Sequence, residues 1–257
     1  LVKMKRYSII STISVFFIFA IWSIVTYGGY VDPLFLPSPS DVIRAAMEEI
    51  EEGIFFKDIG VSFYRIFMGF FISTLFALPI GIMMGTSRAW QSVWEPIVGL
   101  VRYMPAVAFI PLSILWFGTT DIQKFFILFL GVFFQEVIMV ADNCKTVNRS
   151  LVEVGMTIGL KKFEIVKDIV FRAAFPGIMD TFRTTWGWAW TYLVVAELVA
   201  ASEGLGFRIM QAQRYLATDR IILGILVIGL LGLITDMLFK LLYHRLFPWK
   251  ESAKVKE

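Results

Sequence analysis

The side chains that most often carry covalent chemistry are almost missing from this chain. It holds one cysteine, Cys144, and one histidine, His244, among 257 residues. A lone thiol cannot form a disulfide within the chain or a cysteine metal cluster, and a lone imidazole rules out histidine-rich metal chemistry. Cys144 falls near a loop and His244 beyond the last apolar run, at no spacing that joins nucleophile to base. No Walker phosphate-binding loop is visible. What remains is charge in an apolar setting. The densest charged set lies in residues 151–176: Glu153, Gly155 and Gly159 at short spacings, then Lys161, Lys162, Glu164, Lys167 and Asp168. Such an island between apolar runs reads as a short helical hairpin at a membrane surface. The chemistry open to it is docking. The Glu153 carboxylate can pair with a partner's base, cap backbone donors, or simply keep the loop wet. Gly159 permits a tight turn with positive φ. Lys161, Lys162, Glu164 and Lys167 are rim contacts whose individual contributions are small unless they are desolvated.

A second set lies within the apolar runs. Arg102, Met104 and Pro105 interrupt one of them, with Pro111 further along. Broken backbone at membrane depth is tolerated only against protein or a cavity. These residues therefore mark either a packing kink or a helix that lines a translocation path. Arg102 adds to the second reading, because an intramembrane charge is expensive without water or a partner. Near a helix end, however, it can also snorkel. Trp186 and Trp190 stand one turn apart and share a face, either a packing stripe or a path wall. Glu197 can hold an external gate or bind a helix terminus. Glu136 and Gln135 read as packing groups. We take Arg102, Met104, Pro105, Trp186, Trp190 and Glu197 as translocation-path candidates.

The elements that position these residues follow from composition. Hydrophobic residues make up 58% of the chain and charged residues 18%, with 25 phenylalanines and a mean hydropathy of +0.73. Runs of about 20 apolar residues can cross a bilayer. The fold class is an all-α polytopic membrane protein, with six transmembrane helices at 9–27, 61–85, 92–117, 124–141, 181–200 and 221–242. Residues 1–8 form a short N-terminus, 9–249 the membrane domain with the loop 151–176, and 250–257 a tail. The run 32–40 is a Pro-rich turn, and Ser40 or Asp41 can cap an acidic surface helix over 42–52. Arg65 can snorkel to the interface. A surface helix follows the turn Glu203-Gly204-Leu205-Gly206. Basic residues at Lys3, Lys5, Arg6 and Arg88, in the central loop and in the tail predict both termini and that loop on the cytoplasmic side. A net charge of +3 is too small to argue for nucleic acid. Three rivals remain: a secondary transporter, for which no internal repeat is visible; an intramembrane enzyme; and a structural membrane protein.

The central stretch resembles the "EAA" loop of importer-type ABC-transporter permeases. Glu153-Val154-Gly155, then Gly159, then Ile169-Val170-Phe171-Arg172 follow that pattern. The chain departs from it at Val154, at Phe171 where the family has Leu, and at Arg172 where it has Pro. Phe35-Leu36-Pro37-Ser38-Pro39, Ala173-Ala174-Phe175-Pro176-Gly177, Ala196-Glu197, Gly204-Leu205-Gly206, the run from Gly229 to Asp236 and Leu246-Phe247-Pro248-Trp249 are similar to segments of the nitrate, sulfonate, taurine and bicarbonate permeases. The resemblance covers about residues 9–249. It implies the type I ABC importer permease architecture in a bacterial inner membrane. It also implies a second permease copy, two cytoplasmic ATP-binding subunits that bind ATP and Mg and do the hydrolysis, and an external solute-binding protein. This chain would then be non-catalytic, with no cofactor of its own. The implied substrate is a small, anionic solute such as nitrate, bicarbonate, a sulfonate or taurine. The alternative in the same family is an aromatic or vitamin-precursor solute.

Overall fold

The computed structural model describes residues 2–249, with side chains from residue 13 onward. The basic flanks Lys3, Lys5 and Arg6, and the tail 250–257, lie outside the described side chains. Eleven α-helices follow one another among the described residues: α1 (Val2–Tyr27), α2 (Pro39–Glu51), α3 (Phe55–Thr86), α4 (Arg88–Val101), α5 (Ile110–Phe117), α6 (Asp121–Lys145), α7 (Arg149–Thr157), α8 (Lys162–Glu164), α9 (Arg172–Ala200), α10 (Leu205–Arg214) and α11 (Thr218–Leu246). A 3₁₀ turn, Ala106–Phe109, precedes α5, and a π-helical segment, Ile165–Phe171, joins α8 to α9.

Three of these helices are long and apolar enough to cross a membrane: α3, α6 and α11. The pair α4 and Ala106–Phe117, bent by 80°, makes a fourth if counted as one span. This is fewer than the six expected. Of α1, the part whose side chains are described, Ile13–Tyr27, is apolar throughout that length. The helix α9 has the length, but its tryptophans and threonines, with Arg183 and Glu197, lower its hydropathy. The molecule is a mostly helical, multi-span membrane protein.

The bundle is built on α6, which lies along α3 on one side and α9 on the other. A stripe of small residues on α3 explains the close approach: Gly69, Ser73, Ala77, Gly81 and Gly85 recur every fourth position. A Cβ built on Gly81 would stand 2.7 Å from Val140 Cβ, and one on Gly85 would stand 2.6 Å from the Ala141 carbonyl oxygen. Small-residue seams of this kind let helices associate without a hydrophobic driving force from lipid. Beyond the seam, Ile66, Phe70, Leu128, Val132, Trp186, Trp190 and Leu193 form the core toward one end of the bundle. Val140, Cys144, Ile165, Val170 and Ile178 form it toward the other.

Local signals explain most helix ends, with two corrections. The cap of α2 is Ser38, not Ser40 or Asp41. Ser38 Oγ accepts from the Asp41 amide, while Asp41 accepts from the Ser38 amide, a capping box. Pro39 follows at the first helical position, where its missing N–H loses nothing. The same reason makes Pro111 harmless in the first turn of α5. The real break in that span is at Arg102–Pro105. The C-terminal end of α1 is tied to the start of α2 by Trp22 Nε1, which donates to the Pro37 carbonyl at 3.0 Å.

Candidate functional site

At one end of the bundle, α7 and the segment α8–π–α9 form the hairpin expected from the sequence. Asn148 caps α7 by accepting from the Ser150 amide at 3.0 Å. The turn is made by Gly159, at φ +85°, in the left-handed region that glycine occupies without strain. Gly155 is buried where the two arms cross, and a Cβ there would meet Ile169 Cδ1 at 2.4 Å. Lys161 opens the second arm, its amide donating to Glu164 Oε2 at 2.7 Å. Arg172 carries the amide that a proline would lack, so the helix runs through the π segment into α9 without interruption. Its side chain pairs with Asp168 at 3.2 Å. The second arm thus continues as helix into the 29-residue α9, while the first arm joins α6.

The outer surface of the hairpin is apolar and exposed. Ile158 is 70% exposed and Phe163 76%, with Leu151, Val154 and Met156 also open. Around them, Glu153 pairs with Arg149 at 3.2 Å, and Lys161, Lys162 and Lys167 are exposed. Such a rimmed apolar patch marks an interaction surface.

The path candidates separate into two groups. Arg102, Met104 and Pro105, at the break between α4 and α5, line a cavity of about 440 Å³. Its other walls come from α6, with Leu130, Gly131, Phe134 and Gln135, and from α9, with Trp188, Thr191 and Tyr192. Arg102 is the only charged residue in this lining. Its guanidinium donates to the Tyr103 hydroxyl at 2.5 Å and lies 4.5 Å from that ring's centroid. Among the described residues it forms no ion pair.

Trp186, Trp190 and Glu197 are placed on the other face of α9, inside the bundle. Both tryptophans are buried in the core against Phe70 and Leu128. Glu197, 1% exposed, accepts from Arg65 Nη1 at 2.8 Å, from Ser62 Oγ at 2.9 Å and from the Gly206 amide in the first turn of α10 at 2.9 Å. Arg65 does not snorkel. At 3% exposure it also donates to Asp121 at 2.7 Å and to the Glu203 carbonyl at 2.7 Å. Nearby, Lys124 caps the end of α9 by donating to the Ala200 carbonyl at 2.5 Å. Asp58 accepts from the Gly204 amide at 2.7 Å and from Arg208. This buried network fixes the turn between α9 and α10 to α3 and α6.

Gln135, Trp188, Thr191 and Tyr192 are among the cavity residues that sequence reasoning did not single out as lining. Trp188, Thr191 and Tyr192 recur at helical spacing, which was the available signal. Glu136, next to Gln135, is buried and accepts from Ser73 Oγ at 3.0 Å and Thr74 Oγ1 at 2.8 Å, away from the cavity. Among the described residues, no group of three or more His, Cys, Asp or Glu stands where it could hold a metal ion.

A family model described as "Binding-protein-dependent transport system inner membrane component" matches residues 77–248. The chain is 33% identical over 235 residues to the putative aliphatic sulfonates transport permease protein SsuC of Bacillus subtilis (strain 168), covering 91% of this chain and 85% of that relative. It is 30% identical over 233 residues to the taurine transport system permease protein TauC of Escherichia coli (strain K12), covering 89% and 84%. To the nitrate import permease protein NrtB of Leptolyngbya laminosa it is 23% identical, covering 96% and 90%. A chain of the MetNI methionine ABC transporter, solved in inward-facing conformations, superposes with a TM-score of 0.62 at 18% identity, covering 75% of this chain and 97% of that one. The hairpin and the break at Arg102 both fall inside the matched region, and the chain belongs to the binding-protein-dependent transport system inner membrane components, as a transmembrane permease subunit of an ABC importer.

Proposed function

We propose that this permease pairs with a second copy to enclose a path for a small organic anion, and that its hairpin receives two cytoplasmic ATP-binding subunits. ATP and Mg belong to those subunits, and an external solute-binding protein delivers the solute. Six crossings are the best reading: α1, α3, the bent α4–α5 pair, α6, α9 and α11 give an even number of legs. Both termini and the hairpin then share the cytoplasmic side of the inner membrane.

The observation that carries the reading is the hairpin's exposed apolar surface around Phe163 and Ile158, continuous through one helix with α9. Glu153, Gly155, Gly159, Lys161, Lys162, Glu164 and Lys167 are the coupling set. Glu153 and the lysines form its rim, and the glycines set its shape. Arg102, Met104 and Pro105 are assigned to the path, with Gln135, Trp188 and Thr191 facing them. An unpaired cation in a lining without carboxylates favours an anion. A volume of about 440 Å³ walled by Tyr103, Phe134, Trp188 and Tyr192 favours an apolar body behind the charge. The names of the sulfonate and taurine relatives agree with this reading. Trp186, Trp190 and Glu197 are assigned to the frame that holds the path wall.

The test is reconstitution of the complete complex in proteoliposomes with its solute-binding protein. Phe163→Asp and Glu153→Ala are expected to reduce copurification of the ATP-binding subunit and ATP-driven uptake. Unchanged assembly and uptake in both variants would remove the hairpin from the motor contact. Arg102→Gln is expected to lower uptake of an alkyl sulfonate at least tenfold while the complex stays assembled.

A further inference from the structure

Beside the hairpin lies a second, larger cavity that the transport path does not use. It has a volume of about 840 Å³ and sits between the α3–α4 joint and the inner side of the hairpin. Four cations line it, Arg88, Lys145, Arg149 and Lys162, together with Ser87, and no carboxylate does. Two of the four have partners on their own helix turns: Lys145 lies 3.7 Å from Asp142 and Arg149 3.2 Å from Glu153. Exposed pairs of this kind neutralise little. Arg88 and Lys162 form no ion pair among the described residues. With Asp142 and Glu153 counted, the balance at the cavity remains positive.

A groove of about 680 Å³ adjoins this cavity and shares Thr86, Ser87, Lys162 and Val166 with it. The groove is apolar, walled by Leu78, Pro79, Ile82 and Met83 of α3, by Trp90, and by Phe163 and Phe171 of the hairpin's second arm. From Leu78 to Thr86 it follows α3 for about 12 Å at the helical rise. Because α3 is long and apolar enough to cross a membrane and ends at Thr86, the basic cavity falls where such a span meets water and the groove runs along its apolar length. Trp90, Lys162 and Lys167 stand at the mouth, the residue types found at headgroup level.

The two halves call for different ligand chemistry. A free anion accounts for the cations but leaves the groove unfilled. An apolar molecule accounts for the groove but meets four cations. We propose that the pair of sites holds an anionic phospholipid, its phosphate among Arg88, Lys145, Arg149 and Lys162 and one acyl chain along α3. Basic pockets between helices at this level are suited to anionic headgroups. The lipid touches the α3–α4 joint on one side and both arms of the hairpin on the other, so it braces the hairpin against the membrane domain. The site shares Lys162, Phe163 and Lys167 with the proposed ATPase contact, whereas Arg88 and Lys145 belong to the lipid site alone.

The experiment uses the assembled complex in nanodiscs of phosphatidylcholine with a small fraction of phosphatidylglycerol, and measures phospholipid retained after extraction by native mass spectrometry. Retained lipid is expected to be enriched in phosphatidylglycerol over its bulk fraction. In the double variant Arg88→Gln/Lys145→Gln the enrichment falls about thirtyfold, roughly a factor of five per basic residue near an anionic lipid. Arg44→Gln, at an exposed site on α2, leaves it unchanged and controls for bulk charge. Amide exchange in the hairpin slows in phosphatidylglycerol relative to pure phosphatidylcholine. Equal retention of the two lipids, retention unaffected by the double variant, or displacement by millimolar inorganic phosphate would overturn the site, the last assigning it to free anions. Hairpin exchange indifferent to the lipid would overturn the bracing.

Discussion

The buried ion network at the α9–α10 turn offers the sharpest quantitative prediction. Arg65 reaches Glu197 at 2.8 Å, Asp121 at 2.7 Å and the Glu203 carbonyl at 2.7 Å. Both Arg65 and Glu197 are almost wholly removed from solvent. Replacing Arg65 with alanine leaves Glu197 charged and buried, with only Ser62 and the Gly206 amide to answer it. The Glu203 carbonyl also loses its donor. Asp121, nearly half exposed at 45%, can rehydrate and adds little. Breaking a buried pair from one side costs about 3–5 kcal/mol. At roughly 2–4 °C per kcal/mol for a chain of this size, that lowers the unfolding midpoint by on the order of ten degrees. Replacing both members, Arg65→Met with Glu197→Met, removes the stranded charge and is expected to recover most of the loss, since apolar replacements of buried pairs are often close to neutral. The assay is thermal unfolding of the purified complex in detergent, followed by tryptophan fluorescence for Arg65→Ala, for Arg65→Met and Glu197→Met singly, and for the double. A single Arg65→Ala shift no larger than that of an exposed control, or a double variant no better than the singles, would refute the argument that Glu197 is held by Arg65.

Three further outcomes are expected. Gly159→Ala places a Cβ in the left-handed region and costs about 1–2 kcal/mol, read as faster amide exchange confined to the hairpin. Gly81→Val pushes α3 away from Val140 across the small-residue seam and destabilises by about 3 kcal/mol, read in the same unfolding assay. On α2, burial holds the Glu49 carboxyl above its ordinary range, against the pull of Arg220 and Arg208. The stability it contributes is therefore present at low pH and lost as pH rises through its folded-state value. Glu49→Gln is expected to raise the unfolding midpoint near pH 8, with the advantage disappearing toward pH 4.

Much of this was legible in the sequence because it is local. The hairpin followed from a charged island with a glycine at its turn, and the break at Arg102–Pro105 followed from the residues themselves. The cap of α2 was legible too, had Pro39 been read as a first-turn proline. The long-range pairings were not. Arg65 and Glu197 stand 132 residues apart; alone, Arg65 reads as a snorkelling charge and Glu197 as an external-gate or path residue. Lys124 likewise reads as an outer-flank lysine opening the fourth span until the carbonyl at the end of α9 is placed beside it. The tryptophans failed for another reason. Periodicity correctly joined Trp186 to Trp190, but α9 is aromatic on both faces, so spacing could not say which face meets the core and which, with Trp188, meets the cavity. Six apolar runs were visible as well, yet among the described residues only α3, α6, α11 and the bent pair satisfy length and composition together.

The π segment Ile165–Phe171 sets the phase between the two ends of one long helical connection. An α-helix advances about 100° per residue, so the length of this segment decides which side of α9 faces the cavity when the hairpin is in place. A π turn closes over one residue more than an α turn, so the segment carries an extra residue that an α-helix would not hold. Deleting one residue there lets it rewind as α-helix with hairpin and path in nearly the same phase. Inserting one residue as α-helix between Arg172 and Gly187 would instead turn the rest of α9 by about 100° relative to the hairpin. Trp188, Thr191 and Tyr192 would swing off the cavity wall, and Glu197 would be carried away from Arg65. Such an insertion should therefore be far more damaging than the same insertion in the exposed turn at 28–35.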